Sequence, residues 1–232
     1  MPAEIKVLAL QSPQIIFNEL AADFEQRTGY RITQLLRHTD MPIHAKQRAD
    51  AGEAFDAAFL VPEFLDQLAK EGKIVDATRT NFLRVPIGVA VRAGASKPDI
   101  SSVEAFKRTL LDARSIAYLK AGTSGPYLEG LFDRFGIAPE LQSKARRPET
   151  DTVGDLVAGG EAELGVTAIA TLIATRGVDV VGPLPAEIQS YVFFAAGVST
   201  NAVVPDIARD LIKFLTGPTA ISVIRSKGME PW

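Results

Sequence analysis

The sequence predicts an α/β protein: mainly parallel β-sheet flanked by helices. Three observations carry this. Strand-sized apolar runs and helix-sized amphipathic runs alternate from the first residues onward. Glycine, proline and capping residues fall between them. Two extended segments, near 84–92 and 188–197, interrupt the alternation. A chain that leaves one lobe and later returns to it predicts two lobes, residues 1–84 plus 195–232 and residues 85–194. A single continuous α/β domain is the alternative that the pattern leaves open.

Residues 5–10 form a short apolar strand, after which Ser12 and Pro13 open a helix, serine as cap and proline in the first turn. Ile16, Leu20 and Phe24 make the buried stripe of that helix and Gly29 closes it. A strand over 30–36 and a helix over 43–51 follow. In residues 51–60, a glycine-containing break leads into Phe55-Asp56-Ala57-Ala58-Phe59-Leu60. That suits a buried parallel strand whose carboxyl edge faces a cleft. A helix over 62–70 completes a β-α-β-α-β-α series.

Residues 82–92 then read as an extended run in which Pro86 and Gly88 disfavour helix. A second alternating series follows: helix 101–112, strand 115–118, helix 125–135, helix 151–158, strand 163–167, a short helix, and strand 178–181. Residues 188–197 are a long strand, and helices over 205–215 and 218–227 end the chain. No internal repeat or low-complexity linker is present.

With 232 residues, 47% hydrophobic and 23% charged, the chain has the composition of an ordinary globular protein with ample core. A net charge of −3 supplies no basic excess for nucleic acid. The absence of cysteine excludes disulfides, thiolate nucleophiles and cysteine-based metal sites. His38 and His44, the only histidines, do not form a zinc-ligand spacing, so neither metal nor cofactor is expected. No run of apolar residues is long enough to insert in a membrane. The opening residues carry no signal peptide, which predicts a cytoplasmic protein, or a periplasmic one whose leader has been removed.

The candidate binding residues lie where strands deliver the chain to helices. Ser12 brings a hydroxyl and first-turn amides to the end of the first strand, suited to an anion or simply to capping. Gly122-Thr123-Ser124-Gly125-Pro126-Tyr127 is the stronger site, because glycines let backbone approach a ligand and hydroxyls donate to oxygen; the bare pattern also fits a capped turn and nothing more. It is neither a Walker A loop nor a dinucleotide fingerprint. His38 and Thr39 follow the second strand. There His38 offers a hydrogen bond or a proton near neutral pH, or is merely exposed. Arg84 is placed to clamp a carboxylate or to sit on the surface. Thr152, at a helix start, and Thr167, at a strand end, are further polar candidates. No catalytic pair or triad stands out.

Several segments in order resemble one family. They are Val7-Leu8-Ala9-Leu10-Gln11-Ser12, residues 51–60, Lys70-Glu71-Gly72-Lys73-Ile74, Gly88-Val89-Ala90-Val91-Arg92, Thr123-Ser124-Gly125 with the helix to Phe135-Gly136-Ile137, residues 160–166, residues 182–189 and Phe214-Leu215-Thr216-Gly217-Pro218. Together they look like the molybdate-type bacterial extracellular solute-binding proteins, over nearly the whole chain. The resemblance implies a type II periplasmic-binding fold with hinge closure. It also implies a monomer that captures a small anion with hydroxyls and helix-end amides, and an ABC-transporter permease as partner. By position, Ser12 matches the first family serine and Ser124 falls where the second lobe offers an amide.

Two departures change the expected ligand. The family's serine-rich turn after the second strand is replaced by Arg37-His38-Thr39-Asp40-Met41-Pro42, and its ligand-contacting tyrosine falls at Ala168. Losing donors and gaining room favours an organic carboxylate over molybdate. Aconitate isomerases resemble the same wider subgroup. The enzyme alternative is therefore proton transfer on a tricarboxylic acid, with His38 or Tyr127 as base and Arg84 as cationic help. A cytoplasmic ligand-binding module is a further alternative.

Overall fold

A computed structural model of the chain describes residues 3–232. Met1 and Pro2, which the expected first lobe includes, lie outside the described residues. In order the elements are β1 (Ala3–Ala9), α1 (Gln11–Thr28), β2 (Tyr30–Gln34), α2 (Pro42–Asp50), β3 (Ala57–Leu60), α3 (Pro62–Lys70) and β4 (Thr80–Arg92). Then come α4 (Val103–Asp112), β5 (Ile116–Ala117), α5 (Ser124–Phe135), α6 (Ala138–Gln142), β6 (Ala145–Arg146), α7 (Val153–Ala158), β7 (Leu164–Ala168) and α8 (Ile169–Ala174). The chain ends with β8 (Val178–Pro183), β9 (Tyr191–Val198), α9 (Pro205–Leu215), α10 (Pro218–Ser226) and β10 (Glu230–Pro231). Two compact units result. One takes the chain up to Arg84 together with Phe193–Trp232, and the other takes Val85–Val192.

In the first unit, β1 pairs in parallel with β2 (Ala3 opposite Tyr30 through Val7 opposite Gln34) and with β3 (Val7 opposite Ala57, Ala9 opposite Phe59). β9 closes the other side of β3 antiparallel, with Ala57 opposite Val198. β3 thus has a strand on each side and all four of its residues are buried. Its side chains find apolar partners on both faces, which is why the run Ala57-Ala58-Phe59-Leu60 carries no polar alternation. Phe59 meets Phe17 of α1 edge-on at 4.9 Å between centroids, and Phe82 at 5.4 Å. Gly29 adopts a left-handed φ of 74° and donates its N–H to Glu25 O, ending α1 as its position predicts.

Asp56 explains the polar residue inside that apolar segment. Its carboxylate is buried and accepts three backbone N–H groups: Lys6 on Oδ2 at 2.8 Å, and Val203 and Val204 on Oδ1 at 2.7 and 3.1 Å. Asp56 therefore ties the start of β3 to β1 and to the entry of α9. Lys46, Asp50, Glu71 and Lys73 form an exposed ion-pair ring joining α2 to the end of α3, with Lys46 2.7 Å from Asp50 and 3.0 Å from Glu71. Hydrogen bonds from the two lysines hold both carboxyls below the usual carboxylate range.

In the second unit, β5 pairs in parallel with β6 and β7, while β4 pairs antiparallel with β7 and β8. The parallel core of each unit is thus bordered by antiparallel strands. Phe106, Leu110, Leu128, Leu131 and Phe132 from the helices cover Val89, Ile116 and Val166 of the sheet. Tyr118 meets Phe132 edge-on at 5.4 Å.

One local expectation is corrected. α1 opens at Gln11 rather than Ser12, with Leu10 as an extended N-cap that makes no side-chain cap bond. Leu10 still belongs to the sheet through its N–H to Phe59 O, and its own carbonyl accepts Gln14 N–H, so the first turn starts directly off the strand. Ser12 and Pro13 consequently sit inside that first turn.

Candidate functional site

In an open α/β sheet, the carboxyl ends of parallel strands deliver helix starts whose first N–H groups have no partner within the helix. Each unit has one such edge, and the polar side chains gather there.

On the first unit, the backbone N–H groups of Gln11 and Ser12 make no hydrogen bond among the described residues. Ser12 is 2% exposed, and its hydroxyl likewise has no hydrogen-bond partner there. Gln11 adds a buried side-chain oxygen, Oε1, that also lacks a partner. Oxygen and nitrogen of a glutamine amide exchange places by a simple flip, so this end can present either an acceptor or a donor. Gln14 holds the edge in shape: its Nε2 donates to Ala9 O at 2.6 Å and to Leu36 O at 3.1 Å, pinning α1 to the exits of β1 and β2.

The turn after β2 is closed by Asp40, which is buried and accepts Arg37 N–H at 3.0 Å and Arg37 Nε at 3.1 Å. His38 and Thr39 form the tip of that turn, His38 exposed and Thr39 half-buried, and neither side chain is hydrogen-bonded among the described residues. His44 has a defined role instead. Its Nδ1 accepts Met41 N–H at 2.8 Å at the start of α2. The proton of the neutral ring is therefore on Nε2. Arg84 is engaged with Glu230 of β10, Nε donating at 2.7 Å and Nη2 lying at 2.5 Å.

On the second unit, Thr123 precedes α5, and Ser124 and Gly125 make its first turn. Thr123 is exposed, whereas Ser124 is 2% exposed without a hydrogen bond from its hydroxyl. The N–H groups of Ser124 and Gly125 are unpartnered among the described residues, and Pro126 contributes none. Position 125 admits only glycine, because a Cβ there would stand 2.2 Å from Leu119 O. That contact seats the α5 start on the exit of β5. Register runs Ala117 opposite Gly165, which places Thr167 of β7 level with Leu119. Thr167 is 1% exposed and its Oγ1 has no partner. Thr167 and the α5 start therefore share one edge.

Thr152 caps α7 by position without a side-chain cap bond, and its hydroxyl reaches Thr150 O only at 3.4 Å. Beside it, Asp151 has no hydrogen bond or ion pair among the described residues. Loss of hydration, with a smaller contribution from the like charge of Asp155, pushes its carboxyl up to about 7. Tyr127, considered as a base, donates its hydroxyl to Ile188 O at 2.5 Å and is occupied there.

Sequence reasoning passed over Gln11, Gln14, Asp56 and Asp151. The first two had a signal: amide side chains flanking the Ser-Pro pair at a strand-to-helix junction. Asp151 had none, since an Asp-Thr pair before an apolar run reads as an ordinary cap.

Among the described residues no cluster of histidine, cysteine and carboxylates could hold a metal ion, and no helix is long and apolar enough to cross a membrane.

An aconitate isomerase from a Pseudomonas species is 33% identical over 216 residues, covering 92% of this chain and 82% of its own. Among solved structures, the sulfate-binding protein of Mycobacterium tuberculosis H37Rv has a TM-score of 0.76 at 17% identity, over 99% of this chain and 87% of its own. The periplasmic molybdate-binding protein of Azotobacter vinelandii has a TM-score of 0.74 at 21% identity, over 97% and 98%. At those identities the two structures establish the fold, that of periplasmic binding proteins. Residues 5–230 match a family described as bacterial extracellular solute-binding protein. The chain belongs to that family.

Proposed function

We propose that this protein captures a small organic polycarboxylate and passes it to an ABC importer, working as a monomer on the outer side of the cytoplasmic membrane. One observation carries the reading. Ser12 and Ser124 are both buried polar residues in helix first turns, and neither hydroxyl is spent on the protein itself. Hydroxyls and unpartnered amides of this kind bind anion oxygens without a balancing cation. Thr123, Gly125, Thr152 and Thr167 extend the donor set of the second unit, and Thr39 and His38 that of the first. The sulfate-binding and molybdate-binding proteins of similar fold support an anion as ligand. Ala168 in place of a tyrosine, and the Asp40-closed turn in place of serines, support one larger than a tetrahedral oxyanion.

The test is a thermal-shift panel of molybdate, tungstate, sulfate, citrate, cis-aconitate and trans-aconitate. At 100 times the dissociation constant, binding adds about 2.7 kcal/mol of stability. For a chain of this size that is roughly 5–10 °C in melting temperature. The expected result is a shift with a polycarboxylate. No shift with any of the six anions refutes the reading.

A second reading, an isomerase acting on a tricarboxylic acid, is favoured by the 33% identical aconitate isomerase. Incubating the protein with trans-aconitate in deuterated water separates the two by NMR. Appearance of the cis form with deuterium incorporation assigns catalysis. Binding without exchange assigns capture alone.

A further inference from the structure

Asp151 is a carboxyl on the donor edge of the second unit with no hydrogen bond or ion pair among the described residues. It lies where the chain leaves β6 and turns into α7. Lys120 N–H donates to Pro148 O at 3.0 Å, so this exit runs beside the loop that leads into α5. Val153 then packs onto β7, where a Cβ on Gly165 would stand 3.2 Å from Val153 Cγ1. Asp151 thus sits over the carboxyl ends of β5, β6 and β7, together with Ser124, Gly125 and the unpartnered hydroxyl of Thr167.

No charged group is paired with it among the described residues; Arg146, on β6, is exposed and its Nη1 reaches only Ala145 O, at 3.5 Å. Asp155, on α7 itself, is of like sign. In the flanking loops Lys120 is taken by Glu149 at 2.7 Å, and Arg147 by Glu129, with its guanidinium 5.8 Å from the Tyr118 ring. β5, β7 and α8 carry no ionisable side chain. On β8, Asp179 accepts Gly94 N–H, and the neighbouring Arg176 is exposed beside Gly177, which packs on Ala158 at the far end of α7.

We propose that Asp151 makes anion capture proton-coupled: the complex forms with Asp151 protonated, its carboxyl donating a hydrogen bond to a ligand oxygen instead of repelling it. The physical argument is electrostatic. An anion arriving at a carboxylate with no cation partner raises its affinity for a proton, so one proton is taken up with the ligand whenever the free protein has lost it. The raised titration of Asp151 in the free protein is in line with this. Such a residue selects ligands that present an acceptor oxygen at this point and favours capture on the acid side of neutrality. The inference rests on the polycarboxylate reading above.

The test is calorimetric titration with trans-aconitate. Titrations are run near pH 6 and near pH 8, each in two buffers of different ionisation enthalpy, so that the difference in heat counts protons. With a carboxyl titrating at about 7, uptake is expected to rise from about 0.1 proton near pH 6 to about 0.9 near pH 8. The dissociation constant weakens about tenfold over the same interval. D151N is expected to bind at both pH values with no proton uptake and no pH dependence, whereas D155N retains the uptake. Thermal melts of both variants check folding. Binding of wild-type protein near pH 8 without proton uptake overturns this inference and leaves capture standing. No binding of trans-aconitate at either pH overturns the polycarboxylate reading itself, and this inference with it.

Discussion

Replacing Asp56 with alanine tests the account of the first unit most directly. The substitution removes a buried acceptor from three backbone N–H groups, those of Lys6, Val203 and Val204, at 2.7–3.1 Å. Hydrogen bonds to a charged acceptor contribute about 1.5–3 kcal/mol each, but three that share one carboxylate are not additive, and water partly replaces it in the variant. A loss of about 3–5 kcal/mol is expected, a large part of the stability of a typical domain. D56N keeps the shape and one acceptor but turns an amide NH2 toward a backbone donor, so about 2 kcal/mol is expected. Melting temperature reads both, at roughly 2–4 °C per kcal/mol. Anion affinity measured below the transition should not change, because Asp56 lies at the amino end of β3, away from the edge that carries Ser12. A D56A protein destabilised by less than about 1 kcal/mol refutes the claim that this carboxylate holds β1, β3 and α9 together.

Further expectations concern the donor edges. Ser12→Ala should weaken anion binding about tenfold, or about 1.4 kcal/mol, while leaving the melting temperature within about 2 °C, since no intramolecular bond is lost. Thr167→Val should raise the stability of the ligand-free protein by about 1 kcal/mol by removing an unpartnered buried hydroxyl, and should weaken binding; calorimetry and thermal melts read both. Gly125→Ala should cost about 1–3 kcal/mol and abolish binding at the second-unit edge, because Leu119 O occupies the Cβ position. Asp151 titrates at about 7 in the folded chain against an ordinary 3.8, so the folded state holds more protons than the unfolded between those values. Stability of the ligand-free protein should therefore fall as pH rises through that window, and D151N should flatten the profile.

The alternation of strand and helix was legible because its apolar patterns are long and cleanly punctuated. α3 and α9 begin at the prolines that announce them, and α1 ends at Gly29. The helix α6, of five residues, and the two-residue strands β6 and β10 were not legible. Segments that short have no period to read, and their pairing is decided by neighbours distant in sequence. The same distinction runs through the site. Ser12, Ser124 and Gly125 stood out because they occupy junctions that the local pattern defines. The functions of Asp56 and Asp151 depend on what surrounds a carboxyl: three amides in one case, no counterion in the other. One sequence carries no record of either.

The two aspartates show how the polar groups of these sheets are divided. At the amino end of β3, Asp56 meets backbone donors from three segments and has no capacity left for a ligand. At the carboxyl ends the hydroxyl of Thr167 is buried with no partner among the described residues, an arrangement that destabilises the free protein by about 1–3 kcal/mol, and Ser12 and Ser124 are buried residues whose hydroxyls make no bond there. Retaining such groups inside an otherwise satisfied core is intelligible when something from outside completes them. The opposite signs expected for Asp56→Ala and Thr167→Val follow from this division. The first loses stability and keeps affinity; the second gains stability and loses affinity. A substitution of a polar side chain at either end that moved both quantities together in the same direction would show that the two ends are not separable in this way; Gly125→Ala is outside this comparison, because it acts through a clash with Leu119 O.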